Sequence, residues 1–280
     1  NRAGDIMPGR AKKSLGQNYL INSSAARRIV EALRLEPGEL VFEIGAGKGA
    51  LTDLLAETGA RTVSLEIDRR LCEELRDRFS GTDNVEILNA DVMDLDFDSE
   101  ALNRKSGEYK VIGNIPYMLT SSILLKLPDS HGARCSVIMV QKEVADRILE
   151  EPGSRNCGVL TIYLRSYLKE EKVMDVGAGS FYPQPEVDSA VCRFYPLKLE
   201  GAPEDKGLYL RFLKRAFSKR RKKLRNSLLN CGAEEKRRIQ RELERQTGID
   251  MNRRAENLDL EEWFRLFDSY KNSVGLDEIC

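Results

Sequence analysis

A chain of 280 residues with 41% hydrophobic content is long enough for one full-size domain with its own core plus a small appendage. Its 45 basic and 45 acidic residues cancel, which argues against a uniformly basic nucleic-acid binder and shifts the weight to where charges cluster. Six widely spaced cysteines without a Cys-x-x-Cys pair, and a single histidine, His131 in "DSHGAR", exclude an evident metal site, a disulfide framework and a His-dependent nucleophilic hydrolase. A reduced, cytoplasmic setting is expected. No apolar run approaches the roughly 18 to 20 residues of a membrane span, and the N-terminus lacks an apolar signal core, so a soluble, unprocessed protein is expected.

After a basic start, "NSSAARRIVEALRLEPGE" offers helix-start residues at Asn22 to Ser24, apolar positions Ile29, Val30 and Leu33 at helical spacing, and a Pro-Gly stop. Short apolar runs then alternate with helical segments. "LVFEI", "RTVSLEI", "NVEIL", "YKVIGN" and "CSVIMVQ" read as strands, and "ALTDLLAET", "RRLCEELRDRF" and "TSSILLKL" as helices. The alternation predicts βαβ units and a parallel sheet covered on both faces. "RSYLKEEKVMDVGAGSF" and "DSAVCRFYPL" read as strands that give the sheet an antiparallel ending. "KLEGAPEDKG" gathers Pro, Gly and charge, so a first domain over 1–200 and a small helical domain over 205–280 are expected. The last segment opens on Asp259 and Glu262 in capping-box spacing, with Trp263, Phe264, Leu266 and Phe267 on its apolar side.

Four strand ends carry chemistry. "VFEIGAGKGALT" places Gly45, Gly47 and Gly49 between a strand and a helix, where backbone can approach a ligand closely. Glu66 ends the next strand 21 residues after Gly45 and can bind ribose hydroxyls in either an NAD or an S-adenosylmethionine enzyme. Asp91, after the third strand, can accept from an adenine amino group, whereas Asp94, Asp96 and Asp98 read as surface acids. At the fourth strand, "NIPY" presents outward carbonyls, since Pro116 holds Ile115 extended and has no N–H itself. With S-adenosylmethionine as cofactor, the Asn114 amide oxygen and Ile115 carbonyl would accept from an exocyclic amino group and favour a pyramidal nitrogen, while Tyr117 stacks on the base. Alternatively, Asn114 caps the following turn and Tyr117 is core.

These stretches resemble the ribosomal RNA adenine-N6,N6-dimethyltransferases over nearly the whole chain. The resemblance implies a Rossmann-like class I S-adenosylmethionine methyltransferase sheet with a second, small all-α C-terminal domain. "KKSLGQNYL" is similar to the family's N-terminal motif, which implies that Gln17, Asn18 and Leu20 border the cofactor. "EIGAGKGALT", Glu66, Asp91 and "NIPY" match its successive motifs, which assigns Gly45, Ala46, Gly47, Ile67, Val92 and Asn114 to the cofactor and Asn114, Ile115, Pro116 and Tyr117 to catalysis. "VQKEVADRI" and "FYPQPEVDSAV" are also similar, and the resemblance makes Phe181 a second aromatic face for the target base. "FSKRRKKLRNSL" and "RAENLDLEEWFRLF" resemble the branch that modifies two adjacent adenosines near the 3′ end of small-subunit rRNA. Ile115 departs from it, since that branch more often carries leucine there.

From Arg211 to Arg225 lie nine basic residues and no acid, a patch suited to phosphate contacts. Arg220, Arg221, Lys222, Lys223 and Arg225 are the candidates, with Arg10, Lys12 and Lys13 as a second contact. The expected partner is small-subunit rRNA or an assembling small subunit, bound by a monomer, with no membrane association. Rival readings are a large-subunit methyltransferase of the macrolide-resistance type, a DNA adenine methyltransferase, a non-catalytic assembly or transcription factor and an NAD enzyme.

Overall fold

The computed structural model describes residues 17–219 and 221–274; Arg10, Lys12, Lys13 and Arg220 lie outside them. The elements run β1 (Tyr19–Leu20), α1 (Ser23–Glu31), β2 (Leu40–Ile44), α2 (Thr52–Glu57), β3 (Arg61–Glu66), α3 (Arg69–Arg78), β4 (Val85–Asn89), α4 (Phe97–Asn103), β5 (Tyr109–Asn114) and α5 (Thr120–Lys126). Then follow β6 (Ala133–Gln141), α6 (Lys142–Ile148), α7 (Val159–Arg165), β7 (Leu168–Val176), β8 (Phe181–Tyr182), β9 (Ser189–Pro196), α8 (Lys206–Phe217), α9 (Leu224–Leu228), α10 (Ala233–Thr247) and α11 (Leu260–Val274).

Strands β2, β5 and β6 read as near-continuous apolar runs because both of their faces are buried, as central strands of a parallel sheet require. The sheet order is β4-β3-β2-β5-β6-β9-β7. β2 pairs in parallel with both β3 and β5, and β9 runs antiparallel to β6, the antiparallel ending expected. This is the Rossmann-like architecture expected. Around the sheet, α1 starts where Asn22 accepts from the Ala25 N–H at 3.0 Å and buries Ala25, Ala26, Ile29 and Val30. No helix among the described residues is long and apolar enough to cross a membrane.

Two compact units divide the chain. One takes residues up to Ala145 together with Glu171–Tyr195, and the other takes Asp146–Glu170 and the chain from Pro196 onward. The division differs from the single boundary expected between 200 and 205, because 146–170 belongs with the C-terminal helices. The reason is α7, a helix that the sequence pattern does not announce: its Thr161, Ile162, Tyr163 and Leu164 are buried, and Tyr163, Tyr167 and Tyr209 meet edge to face within the second unit. There Phe212 contacts Trp263, Phe267 and Tyr270. The expected capping box of α11 is present, with Glu262 N–H donating to Asp259 Oδ1 at 2.8 Å and Asp259 N–H donating to Glu262 Oε2 at 2.9 Å.

Gly113 of β5 lies opposite Ile44 of β2, and a Cβ there would meet Ile44 Cβ at 3.0 Å and the Ile44 carbonyl at 3.1 Å. Gly113→Ala is expected to destabilise the fold by about 1–3 kcal/mol, read as a lower urea midpoint at unchanged slope. An unchanged midpoint would show that the two strands part without cost.

Candidate active site

β2 lies between β3 and β5, so the chain leaves neighbouring strand ends in opposite directions and a crevice opens at the carboxyl edge of the sheet. A cleft of about 1040 Å³, counting space open to solvent, occupies that edge. The loop after β2 turns with positive φ at Gly45 (73°) and Gly47 (58°), a conformation that L side chains rarely adopt. A Cβ on Gly45 would also meet the Asn114 carbonyl at 3.3 Å, so the loop and the β5 tip approach as closely as backbone allows.

Glu66, at the end of β3, is 6% exposed. Its carboxylate accepts from the Gly47 N–H at 2.8 Å and the Asp68 N–H at 2.9 Å, which pins the glycine loop to the neighbouring strand. Asp91 follows β4 and accepts from the Met93 N–H at 2.8 Å through Oδ1. Asn114 donates its side-chain N–H to the Asn18 carbonyl at 3.3 Å, which leaves the Oδ1 end of the amide as the acceptor. Tyr117 opens the turn Tyr117–Leu119, and its hydroxyl shares a 2.9 Å hydrogen bond with Ser189 Oγ, holding the ring. Burial raises the phenol pKa above its ordinary value.

The cleft is lined by Gln17, Asn18 and Leu20, by Gly45, Ala46 and Gly47, by Glu66 and Ile67, by Asp91 and Val92, and by Asn114, Ile115, Pro116 and Tyr117. The structure thus brings together every cofactor-side and tip residue expected from the sequence. Phe181 is the exception. It pairs with Leu20 through β8, is 3% exposed and sits in the core cluster with Leu20, Ile29 and Met139, so its ring supports the N-terminal strand from behind and does not line the cleft. Asp98 also departs from its reading as a surface acid. It accepts from Tyr109 Oη at 2.6 Å and from the His131 and Gly132 N–H groups at 2.9 Å, and these bonds hold its carboxyl below the usual range against the opposing effect of burial. Among the basic candidates, Arg221, Lys222 and Lys223 are exposed and Arg225 half-buried.

Three further residues at the cleft lie within the motifs read from the sequence but are not singled out there. Tyr19 lies over the glycine loop, with its hydroxyl donating to Gln17 Oε1 at 2.7 Å and Lys48 Nζ 4.9 Å from its ring centre. The third, Glu43, is 1% exposed and accepts from Thr52 Oγ1 at 2.7 Å and Ser64 Oγ at 2.5 Å. A lone acid in the apolar run "LVFEI" was the available signal, since a buried carboxyl needs partners supplied by the fold. The donor set fits S-adenosylmethionine: a glycine cradle that a Cβ would fill, one carboxylate for a ribose diol, and a second for an adenine amine.

A family model described as "Ribosomal RNA adenine dimethylase" matches residues 9–272. A relative from Geobacter metallireducens, "Ribosomal RNA small subunit methyltransferase A", is 38% identical over 260 residues, covering 92% of this chain and 94% of the relative. Among solved structures, a dimethyladenosine transferase from Plasmodium falciparum aligns with a TM-score of 0.74 at 26% identity, covering 91% of this chain and 98% of its own. The 23S rRNA methyltransferase ErmE aligns at 0.64 with 28% identity, covering 91% of this chain and 100% of its own.

Burial pushes the Glu43 carboxyl up from 4.5 to about 7, against the two hydroxyl donors and with added repulsion from Asp53 and Glu66. The folded pKa exceeds the unfolded one, so between pH 4.5 and 7 the native chain binds more protons than the unfolded chain. This group therefore lowers stability as pH rises through that window, by roughly 3 kcal/mol in all. Glu43→Gln is expected to remove that decline. Denaturant unfolding at the two ends of the window checks it, and an equal decline in parent and variant would exclude Glu43 as its source.

Proposed function

The chain belongs to the ribosomal RNA adenine dimethylase family, and from that membership we propose that the residues of the cleft hold S-adenosylmethionine and a small-subunit rRNA adenosine side by side. The protein is an S-adenosylmethionine-dependent rRNA adenine dimethyltransferase. Bound in the cleft, S-adenosylmethionine supplies a methyl group on a positively charged sulfur, which an amine nitrogen accepts as the carbon–sulfur bond breaks.

The observation that carries the site assignment is the Asn114 side chain. With its N–H directed to the Asn18 carbonyl, its Oδ1 acts with the Ile115 carbonyl as a pair of fixed acceptors for the two hydrogens of an adenine N6. An aryl amine is a weak nucleophile because its lone pair is delocalised into the ring. Two placed acceptors favour the pyramidal form and aim the lone pair, which is positioning and electrostatic preorganisation. The Tyr117 ring, held through Ser189, stacks on the base; such a stack contributes about 1–3 kcal/mol and offsets much of the cost of unstacking the nucleotide. Glu66 takes the ribose hydroxyls and Asp91 the adenine amine of the cofactor. Once the methylated nitrogen has lost a proton to solvent, monomethylated N6 keeps one hydrogen for these acceptors, so the same geometry serves the second transfer.

Relatives named for the small subunit support that subunit as substrate, and we place the modified adenosines as an adjacent pair near the 3′ end of its RNA. Exposed Arg221, Lys222 and Lys223, with Arg225, Arg220, Arg10, Lys12 and Lys13, are the proposed phosphate contacts, which position RNA without reading its sequence.

Labelled methyl transfer to undermethylated small subunits, large subunits and duplex DNA tests this reading. N6,N6-dimethyladenosine in small-subunit RNA alone is expected, reduced roughly a hundredfold or more by Asn114→Ala. Label in the large subunit would assign the chain to the other rRNA branch, and cofactor binding without transfer would leave a binding protein. Replacing Arg221, Lys222 and Lys223 together by Ala is expected to raise KM for RNA and to flatten the slope of log affinity against log salt by about 0.7 for each single-strand phosphate no longer neutralised. An unchanged slope would remove these residues from the interface.

A further inference from the structure

One ammonium outside the assigned site residues ties two walls of the cleft together. Lys126 ends α5, the helix that begins three residues after Tyr117, and its Nζ donates to the carbonyls of Val92 at 2.9 Å, Met93 at 2.8 Å and Leu95 at 2.8 Å. All three acceptors belong to the loop that follows β4, the loop that places Asp91 and Val92 in the cleft. An ammonium has three N–H donors, and here each is directed to a backbone carbonyl. Burial lowers the Lys126 pKa, and Asp94, Asp96 and Asp91 oppose this with a favourable field.

The ends of the loop are tied, with the Ala90 N–H donating to the Glu66 carbonyl at 3.2 Å and Asp96 capping α4, but the stretch between them is held mainly from within. Within it, Asp91 Oδ1 accepts from the Met93 N–H and the Asp94 N–H donates to the Asp91 carbonyl at 3.1 Å. Met93 and Asp94 are exposed, so burial anchors the segment through Val92. Three carbonyls facing the same way repel one another unless a cation or several donors converge on them, and among the described residues Lys126 is the side chain that does so.

We propose that Lys126 is a positioning residue that holds the Asp91–Val92 segment at the height needed to receive the adenine end of S-adenosylmethionine, and that couples this segment to the Asn114–Tyr117 tip through α5. The inference rests on the assignment of Asp91 to the cofactor. Geometry as well as charge is required: a planar guanidinium cannot place three N–H groups on three carbonyls that converge on one point. Lys126 touches no reacting atom, so its loss weakens cofactor capture and leaves the chemistry of the bound complex.

The test compares the full-length parent with Lys126→Met, Lys126→Arg and Asp91→Ala. Its readouts are S-adenosylmethionine Kd by calorimetry, KM and kcat on undermethylated small subunits, and amide hydrogen exchange without cofactor. Lys126→Met is expected to raise Kd and KM for the cofactor about tenfold, equivalent to 1.4 kcal/mol, with the effect in KM rather than in kcat. Exchange at 92–96 should quicken while β2 keeps its protection, which separates loop release from unfolding. Lys126→Arg should resemble the Met variant. Unchanged Kd and exchange in Lys126→Met, full recovery in Lys126→Arg, or a fall in kcat at constant KM would each overturn the proposal. If Asp91→Ala leaves Kd unchanged, the Asp91 assignment fails and the proposal falls with it; if Asp91→Ala weakens binding and Lys126→Met does not, the role of Lys126 alone is refuted.

Discussion

The parallel pairing of β2 with β3 on one side and β5 on the other is the constraint from which the site follows. Parallel strands present all their carboxyl ends at one edge, and a strand order that reverses at β2 leaves a gap there that no crossover helix can fill. The loops after β2, β3, β4 and β5 must all reach that gap, so residues separated by tens of positions in the chain become neighbours. The close approach of strands is maintained by absent side chains as much as by contacts: a methyl group on Gly45 would meet the Asn114 carbonyl at 3.3 Å and one on Gly113 would meet Ile44 Cβ at 3.0 Å, so either neighbour would have to shift.

The polar groups gathered in this gap are mostly acceptors in fixed positions, consistent with chemistry that orients an amine. Glu66 is bound from two sides by backbone N–H groups, which fix its carboxylate at the strand end. Glu43 lies one layer deeper, where the hydroxyls of Thr52 and Ser64 share its carboxyl. It links β2, β3 and the start of α2 at the root of the glycine loop. A buried network of this kind is strong when every member is satisfied, which is why it rigidifies the loop.

The N-terminal segment closes the cleft by a different device. Strand β1 has two residues and pairs with β8, about 160 positions later in the chain, in the register Tyr19 to Tyr182 and Leu20 to Phe181. So short a pairing has little stability alone. It is held by burying Leu20 and Phe181 in the main core and by Tyr19 lying against Gly47. Phe181 thus serves to fix the segment that carries Gln17 and Asn18, and Asn18 in turn orients Asn114.

Local patterns were legible in the sequence because they are written by neighbours: apolar runs of strand length, glycines at a strand end, Glu66 at its distance from Gly45, and the Asn114-Ile115-Pro116-Tyr117 tip. The cap of α1 and the capping box of α11 are likewise interactions between residues three apart. What the tertiary structure alone decided are pairings across the chain. α7 carries no sequence pattern that announces it; the edge-to-face contacts running from Tyr163 through Tyr167 to Tyr209 of α8 show what it packs against, and this moves 146–170 into the second unit. Glu43, Tyr19, Asp98 and Phe181 have roles set by partners 9 to 163 positions away, which no local periodicity encodes. Sequence by itself determined which strand ends carry chemistry, since residue type and spacing suffice for that. Only the fold decided which side chains face the cleft and which are buried to hold it, because burial depends on what the rest of the chain brings to the other side.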